Sequence, residues 1–231
     1  MQVLRGALSP LPLLAVMTAV LVLTPGLLSG IWIWPTAWLF LLVVGLFQAS
    51  ASGLLAAFRP ASFQVRQQGF VAALGKKQPL VDLIGVFAYA AFMLSWFASS
   101  PLDIFHFRLL PEPSVLVRTV GAVSTICGAC IANVAIGQNQ FAAPTIHDQR
   151  ADGQRVIQSG LYAVVRHPFY AGMLLVYPGT ALWLGSYAAA IVSLGFLFLT
   201  LARIVIEERF LVENLAGYDA YKARVRARLI P

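Results

Sequence analysis

Arg203, Glu207 and Glu208 stand at the end of the strongly apolar run Tyr187–Ile206. Ionisable groups beside such a run are costly to keep, and by default they mark a working site. Arg203 and Glu207 are four residues apart on a helix and can pair, although arginine ahead of glutamate is the weaker order. Consecutive glutamates project about 100° apart on a helix, so one arginine cannot serve both. One carboxylate therefore needs another cation or water, and an aminoacyl ammonium or a ribose diol would satisfy it.

A second set lies in Gly160-Leu-Tyr-Ala-Val-Val-Arg-His-Pro-Phe-Tyr-Ala-Gly172. Pro168 suits the first position of a helix, where its missing N–H costs nothing. His167 then sits beside the positive end of that helix, where unpaired backbone N–H groups favour an anion. Arg166 and Tyr170 share a face, as do Pro168 and Gly172, and Gly172 leaves room for something bulky against the helix. Interfacial Arg, His and Tyr also serve simply as anchors at the lipid headgroup level. A third set is the tail, where Tyr218, Tyr221, Lys222, Arg224, Arg226 and Arg228 alternate with apolar residues in the manner of a segment lying on a membrane surface.

These sets need a scaffold, and composition says which. Of 231 residues, 59% are hydrophobic and 11% charged, against about a quarter charged in soluble domains. The apolar residues come in blocks near the ~20 residues that cross a bilayer as a helix, not in the short alternating segments of a barrel. The fold class expected is all-α: a polytopic membrane bundle of about six spans, at Leu11–Leu28, Thr36–Phe58, Leu80–Ala98, Val115–Ile136, Pro168–Leu184 and Tyr187–Ile206. Polar loops are expected at Arg59–Gln78 and Gly137–His167, with a two-residue turn at Gly185-Ser186. Placing the N-terminus inside puts Arg5, Arg59, Arg66, Lys76, Lys77, Arg150, Arg155, Arg166 and the tail cations on the cytoplasmic side, with only Arg108 and Arg118 outside. The positive-inside rule selects that orientation and so predicts two cytoplasmic termini. The formal charge of +7 reads as loop orientation and contact with anionic membrane lipid rather than nucleic-acid binding.

Other residues carry less. Cys127 and Cys130 read as small buried thiols, no metal site is expected, Asp82 reads as a span-end charge, and His106 and His147 fall in loops. No phosphate loop or dinucleotide fingerprint appears. A transporter or scaffold would be expected to show midplane charges and paired broken helices, and the charges here gather at one rim instead.

Arg-His-Pro-Phe-Tyr-Ala-Gly (166–172), Arg203 with Glu207-Glu208, and Gly-Tyr-Asp-Ala-Tyr (217–221) leading to Arg-Leu-Ile-Pro (228–231) resemble the C-terminal signature of the isoprenylcysteine carboxyl methyltransferase family. Gly137-Gln-Asn-Gln-Phe141 and Val156-Ile-Gln-Ser-Gly-Leu-Tyr162 are similar to elements of its bacterial members. The resemblance covers about Asn133–Pro231 and divides the chain into a divergent part, 1–132, and a cofactor-binding core, 133–231. It implies an S-adenosylmethionine pocket lined by Tyr162, Arg166, His167, Pro168, Tyr170 and Gly172. Glu207 and Glu208 would bind the polar ends of the cofactor, and Arg203 would face the substrate. Catalytic work would fall to Arg203, Glu207 and His167, at the cytoplasmic face of a bacterial inner membrane. The acceptor would be lipophilic or membrane-delivered, with a carboxylate favoured. Phospholipid amine and small-thiol methyltransferases and NADPH-dependent sterol-type reductases share related cores and stay open as alternatives.

Overall fold

The computed structural model describes residues 1–67, 80–142 and 153–231. Lys76, Lys77, His147 and Arg150 lie outside them. Ten α-helices are described, with no strand among the described residues. They are α1 (Gln2–Leu8), α2 (Leu11–Ser29), α3 (Pro35–Phe58), α4 (Pro60–Gln67), α5 (Leu80–Leu102), α6 (Val115–Gln138), α7 (Pro168–Leu184), α8 (Tyr187–Val192), α9 (Leu194–Asn214) and α10 (Tyr218–Arg224). A π-turn, Asp103–Phe107, follows α5, and a 3₁₀ turn, Gly160–Ala163, precedes α7.

The expected spans fall on helices; two segments differ from expectation, and the division of the chain falls, as the expected spans imply, within a helix. The segment after Arg59 opens as helix α4 rather than as a loop. The last span breaks at Ser193 and then continues to Asn214, so Glu207 and Glu208 lie inside a helix rather than past its end. The division at 132/133 falls inside α6, which runs unbroken from Val115 to Gln138. Among the described residues, four stretches, Gln2–Ser29, Pro35–Phe58, Val115–Gln138 and Tyr187–Asn214, are long and apolar enough to cross a membrane. Large side chains on them, among them Leu39, Leu42, Leu46, Val115, Leu116 and Phe198, are exposed. In water such a surface would drive aggregation; the chain is a helical integral membrane protein.

Lipid is as apolar as a leucine side chain, so burial alone does not hold such helices together; close backbone approach and interhelical hydrogen bonds do. The tightest contact joins α6 and α7, which run antiparallel. A side chain on Gly172 would meet the Gly128 carbonyl at 2.6 Å, and one on Gly179 would meet the Gly121 carbonyl at 2.8 Å. The two glycine pairs repeat every seven residues on both helices, so the backbones touch over about two turns. Polar pairs add to this contact: Thr125 and Thr180 share a hydroxyl hydrogen bond at 3.3 Å, and Ser124 donates to the Leu175 carbonyl. Asn133 donates to Gln48 at 3.1 Å and ties α6 to α3.

Two aromatic clusters fill the bundle. Phe40, Trp34 and Trp183 pack at the end where α3 begins and α7 finishes. Trp96, Tyr177 and Phe196 pack where α5, α7 and α9 meet. At the first of these ends Ser186 caps α8 and donates to the buried Asp103 carboxylate at 2.6 Å. At the opposite end, Gly6 of α1 lies against Ser52, Gly53 and Ala56 of α3. Gly137 of α6 faces Leu55. The N-terminal helix thus starts at the end of the bundle where α3 and α6 finish, and this is the end that holds Arg166, His167, Glu207 and Glu208.

Candidate functional site

The start of α7 is set by sequence. Pro168 occupies its first turn and is fully buried, and His167 is the residue before it, in a non-helical conformation. The tail lies alongside: the backbone N–H of Arg166 donates to the Ala227 carbonyl at 3.0 Å and that of His167 to the Arg228 carbonyl at 2.9 Å. Part of the backbone at this junction is therefore taken up by the chain's own C-terminal segment.

Arg166 is the hub. Its Nε donates to Glu208 Oε1 at 2.7 Å, and its Nη1 donates to the carbonyls of Val225 and Arg226 at 2.6 and 2.8 Å. His167 Nε2 lies 3.2 Å from the same Glu208 oxygen. A carboxylate only accepts, so the arrangement calls for the His167 proton on Nε2. Arg228 stands 3.3 Å from Glu208 Oε2, close enough for an ion pair, although that oxygen is buried without a hydrogen bond of acceptable geometry. Charge attraction tolerates an angle that a hydrogen bond does not, so the pair is best read as electrostatic.

Glu207 has a different environment. Its Oε2 accepts from the Tyr170 hydroxyl at 3.1 Å, and the Tyr170 oxygen accepts from Arg203 Nε at 2.9 Å. Tyr170 thus links Arg203 to Glu207, and its ring lies 5.8 Å from the His167 ring. Among the described residues no cation is in ion-pair contact with Glu207. The two adjacent glutamates accordingly divide: Glu208 is held by the chain's own cations, while Glu207 is half-buried and keeps acceptor capacity.

Tyr162 anchors the turn before α7. Its carbonyl accepts from the Tyr221 hydroxyl at 2.8 Å, and its own hydroxyl lies 3.4 Å from the Ala135 carbonyl. Burial pushes the Tyr162 phenol up to about 12, and burial likewise pushes Tyr221 up to about 12. Tyr218 is raised as well, first by burial and then by Glu208 and Glu207. Tyr218, Tyr221 and Val225 form a small core with Leu211 and Val156 that docks the tail.

The structure brings Arg166, His167, Tyr170, Arg203, Glu207 and Glu208 together, with Tyr162 and Pro168 beside them. Gly172 is elsewhere. The bulky body against it is α6, since a Cβ there would meet Gly128 and Ala132. Cys127 and Cys130, expected to be buried, are exposed on α6, and no group of metal-binding side chains is found among the described residues.

Sequence reading missed three participants. Gln138 accepts from the Leu161 N–H at 2.9 Å and fixes the turn before α7. Arg228 joins Glu208 from the tail. Arg66 of α4 lies over the Phe169 ring at 4.9 Å. Gln138 and Arg228 lie in stretches whose resemblance had drawn notice, and Ser62 and Arg66 are four apart, so that a helix there would put both on one face.

Residues 116–217 match the family model described as phospholipid methyltransferase. The match spans α6 to the start of the tail and contains every candidate site residue from Tyr162 to Glu208. Over these residues, fewer than half of the chain, the sequence is similar to that family. Arg66, α10 and Arg228 lie outside it. No curated protein matches this chain.

Proposed function

We propose that this protein is an S-adenosylmethionine-dependent membrane methyltransferase whose acceptor is lipophilic and whose site lies between the start of α7 and the inner end of α9. The observation that carries the reading is the division of labour between adjacent carboxylates. Glu208 is consumed by Arg166, His167 and Arg228, while Glu207 accepts a hydrogen bond from Tyr170 and has acceptor capacity left for a cationic ligand group. The donor set suits the cofactor: a carboxylate for its ammonium or ribose, and aromatic rings for its adenine and its cation. When bound, the cofactor supplies an electrophilic methyl group.

The chain's own work is alignment and exclusion of water, because methyl transfer is a single in-line displacement. Arg203, fixed through Tyr170, would orient an acceptor carboxylate, which is already ionised at neutral pH and needs no base. The family match favours a second reading, a phospholipid amine. That acceptor would need a base, and His167 is engaged with Glu208, so the carboxylate stays first. The positive-inside pattern supports a site facing the cytoplasm, and the resemblance to bacterial members points to a bacterial inner membrane.

Titration of the purified protein in detergent with S-adenosylhomocysteine tests the reading. Saturable binding with a raised melting temperature is expected, and no effect from NADPH. A response to NADPH alone would favour the reductase alternative.

A further inference from the structure

Arg66 sits at the end of α4, outside the residues that match the methyltransferase family, yet it reaches the candidate site. Its guanidinium lies 4.9 Å from the centre of the Phe169 ring, next in sequence to the Tyr170 that links Arg203 and Glu207. Its charge acts on the phenols of Tyr162, Tyr170 and Tyr89, and Arg203 acts on the last two of these. The Nε of Arg66 is buried and has no hydrogen-bond partner, and among the described residues no carboxylate forms an ion pair with it. A buried guanidinium donor without an acceptor is costly, and an arriving oxyanion would remove that cost. A guanidinium fork suits two-pronged binding of a carboxylate or phosphate.

We propose that Arg66 is an acceptor-binding residue that grips the anionic group of the lipophilic substrate, a carboxylate or a phosphate, opposite Arg203. This rests on the methyltransferase reading. It makes α4, from the part of the chain outside the family match, an element that selects the acceptor, while Glu207 and its neighbours serve the cofactor.

The test uses the full chain in a neutral detergent, as wild type, Arg66→Gln and Arg66→Lys. Tryptophan fluorescence follows titration with dodecyl phosphate, dodecanoate and uncharged dodecanol, and a separate titration uses S-adenosylhomocysteine. Arg66→Gln is expected to weaken the two anions about tenfold or more, since a charge-assisted bond is lost. Dodecanol and S-adenosylhomocysteine should bind unchanged. Arg66→Lys, which keeps the charge but not the fork, should fall between. The tighter of the two anions in wild type identifies the headgroup chemistry. Unchanged anion affinity in Arg66→Gln would overturn the proposal and leave Arg66 a packing residue on Phe169. A selective loss of S-adenosylhomocysteine affinity would overturn it by assigning Arg66 to the cofactor. Loss of every ligand in Arg66→Gln with full retention in Arg66→Lys would also overturn it, by showing a need for charge in folding alone. Failure of wild type to bind S-adenosylhomocysteine would sink the methyltransferase reading, while the amphiphile titrations would still report on Arg66.

Discussion

Arg166 and Glu208 meet at 2.7 Å with side chains only 4% and 3% exposed. One residue precedes α7 by two positions and the other lies deep in α9, so this pair clamps the two helices together, and Arg166 carries the tail through two carbonyls as well. Removing one partner of a buried pair strands the other. Arg166→Ala is therefore expected to cost about 3–5 kcal/mol and to free the tail. Thermal melting and limited proteolysis after Leu215 would show both effects. A variant that melts like wild type with a protected tail would contradict the clamp.

Glu207 predicts the opposite balance. It is half-buried and its hydrogen-bond partner Tyr170 is a neutral phenol, so Glu207→Gln should leave the unliganded melting temperature nearly unchanged. Affinity for S-adenosylhomocysteine should fall about tenfold or more, as expected for a lost charge-assisted contact. Calorimetric titration measures it. Unchanged affinity would remove Glu207 from the site.

Gly172 separates packing from ligand contact. Gly172→Leu must push α6 away from α7, and overpacking of this kind costs about 1–3 kcal/mol. The melting temperature in detergent should drop. A variant of normal stability that fails to bind cofactor would instead place Gly172 in the pocket.

Tyr162 and Tyr221 give a pH dependence. Both phenols are held neutral by burial, at about 12 against an ordinary 10.0. The folded chain keeps these protons where the unfolded chain loses them, so their stability contribution is complete below about pH 10 and falls as pH rises toward about 12. Tyr221→Phe, lacking the bond to the Tyr162 carbonyl, should be less stable at neutral pH but show a shallower alkaline loss. Melting curves taken from neutral to strongly alkaline pH read both.

Sequence alone determined the membrane class, the helix positions and the gathering of charge at one rim, because these follow from local properties. Long apolar runs, Pro168 at a helix start and the Gly185-Ser186 turn each act through neighbours in the chain. It also showed that Glu207 and Glu208 could not share Arg203. What it could not say was which partners each would find. Glu208 is held by Arg166 and His167, both distant in the chain, and by Arg228 in the tail, while Glu207 accepts one hydrogen bond, from Tyr170. Gly172 read as an opening for a ligand because a missing side chain looks the same whether a cofactor or a helix fills the space, and only the approach of α6 decided it. Arg66 was only partly legible: its spacing from Ser62 gives a shared helix face, but its place over Phe169 is a long-range contact that no spacing along the chain encodes.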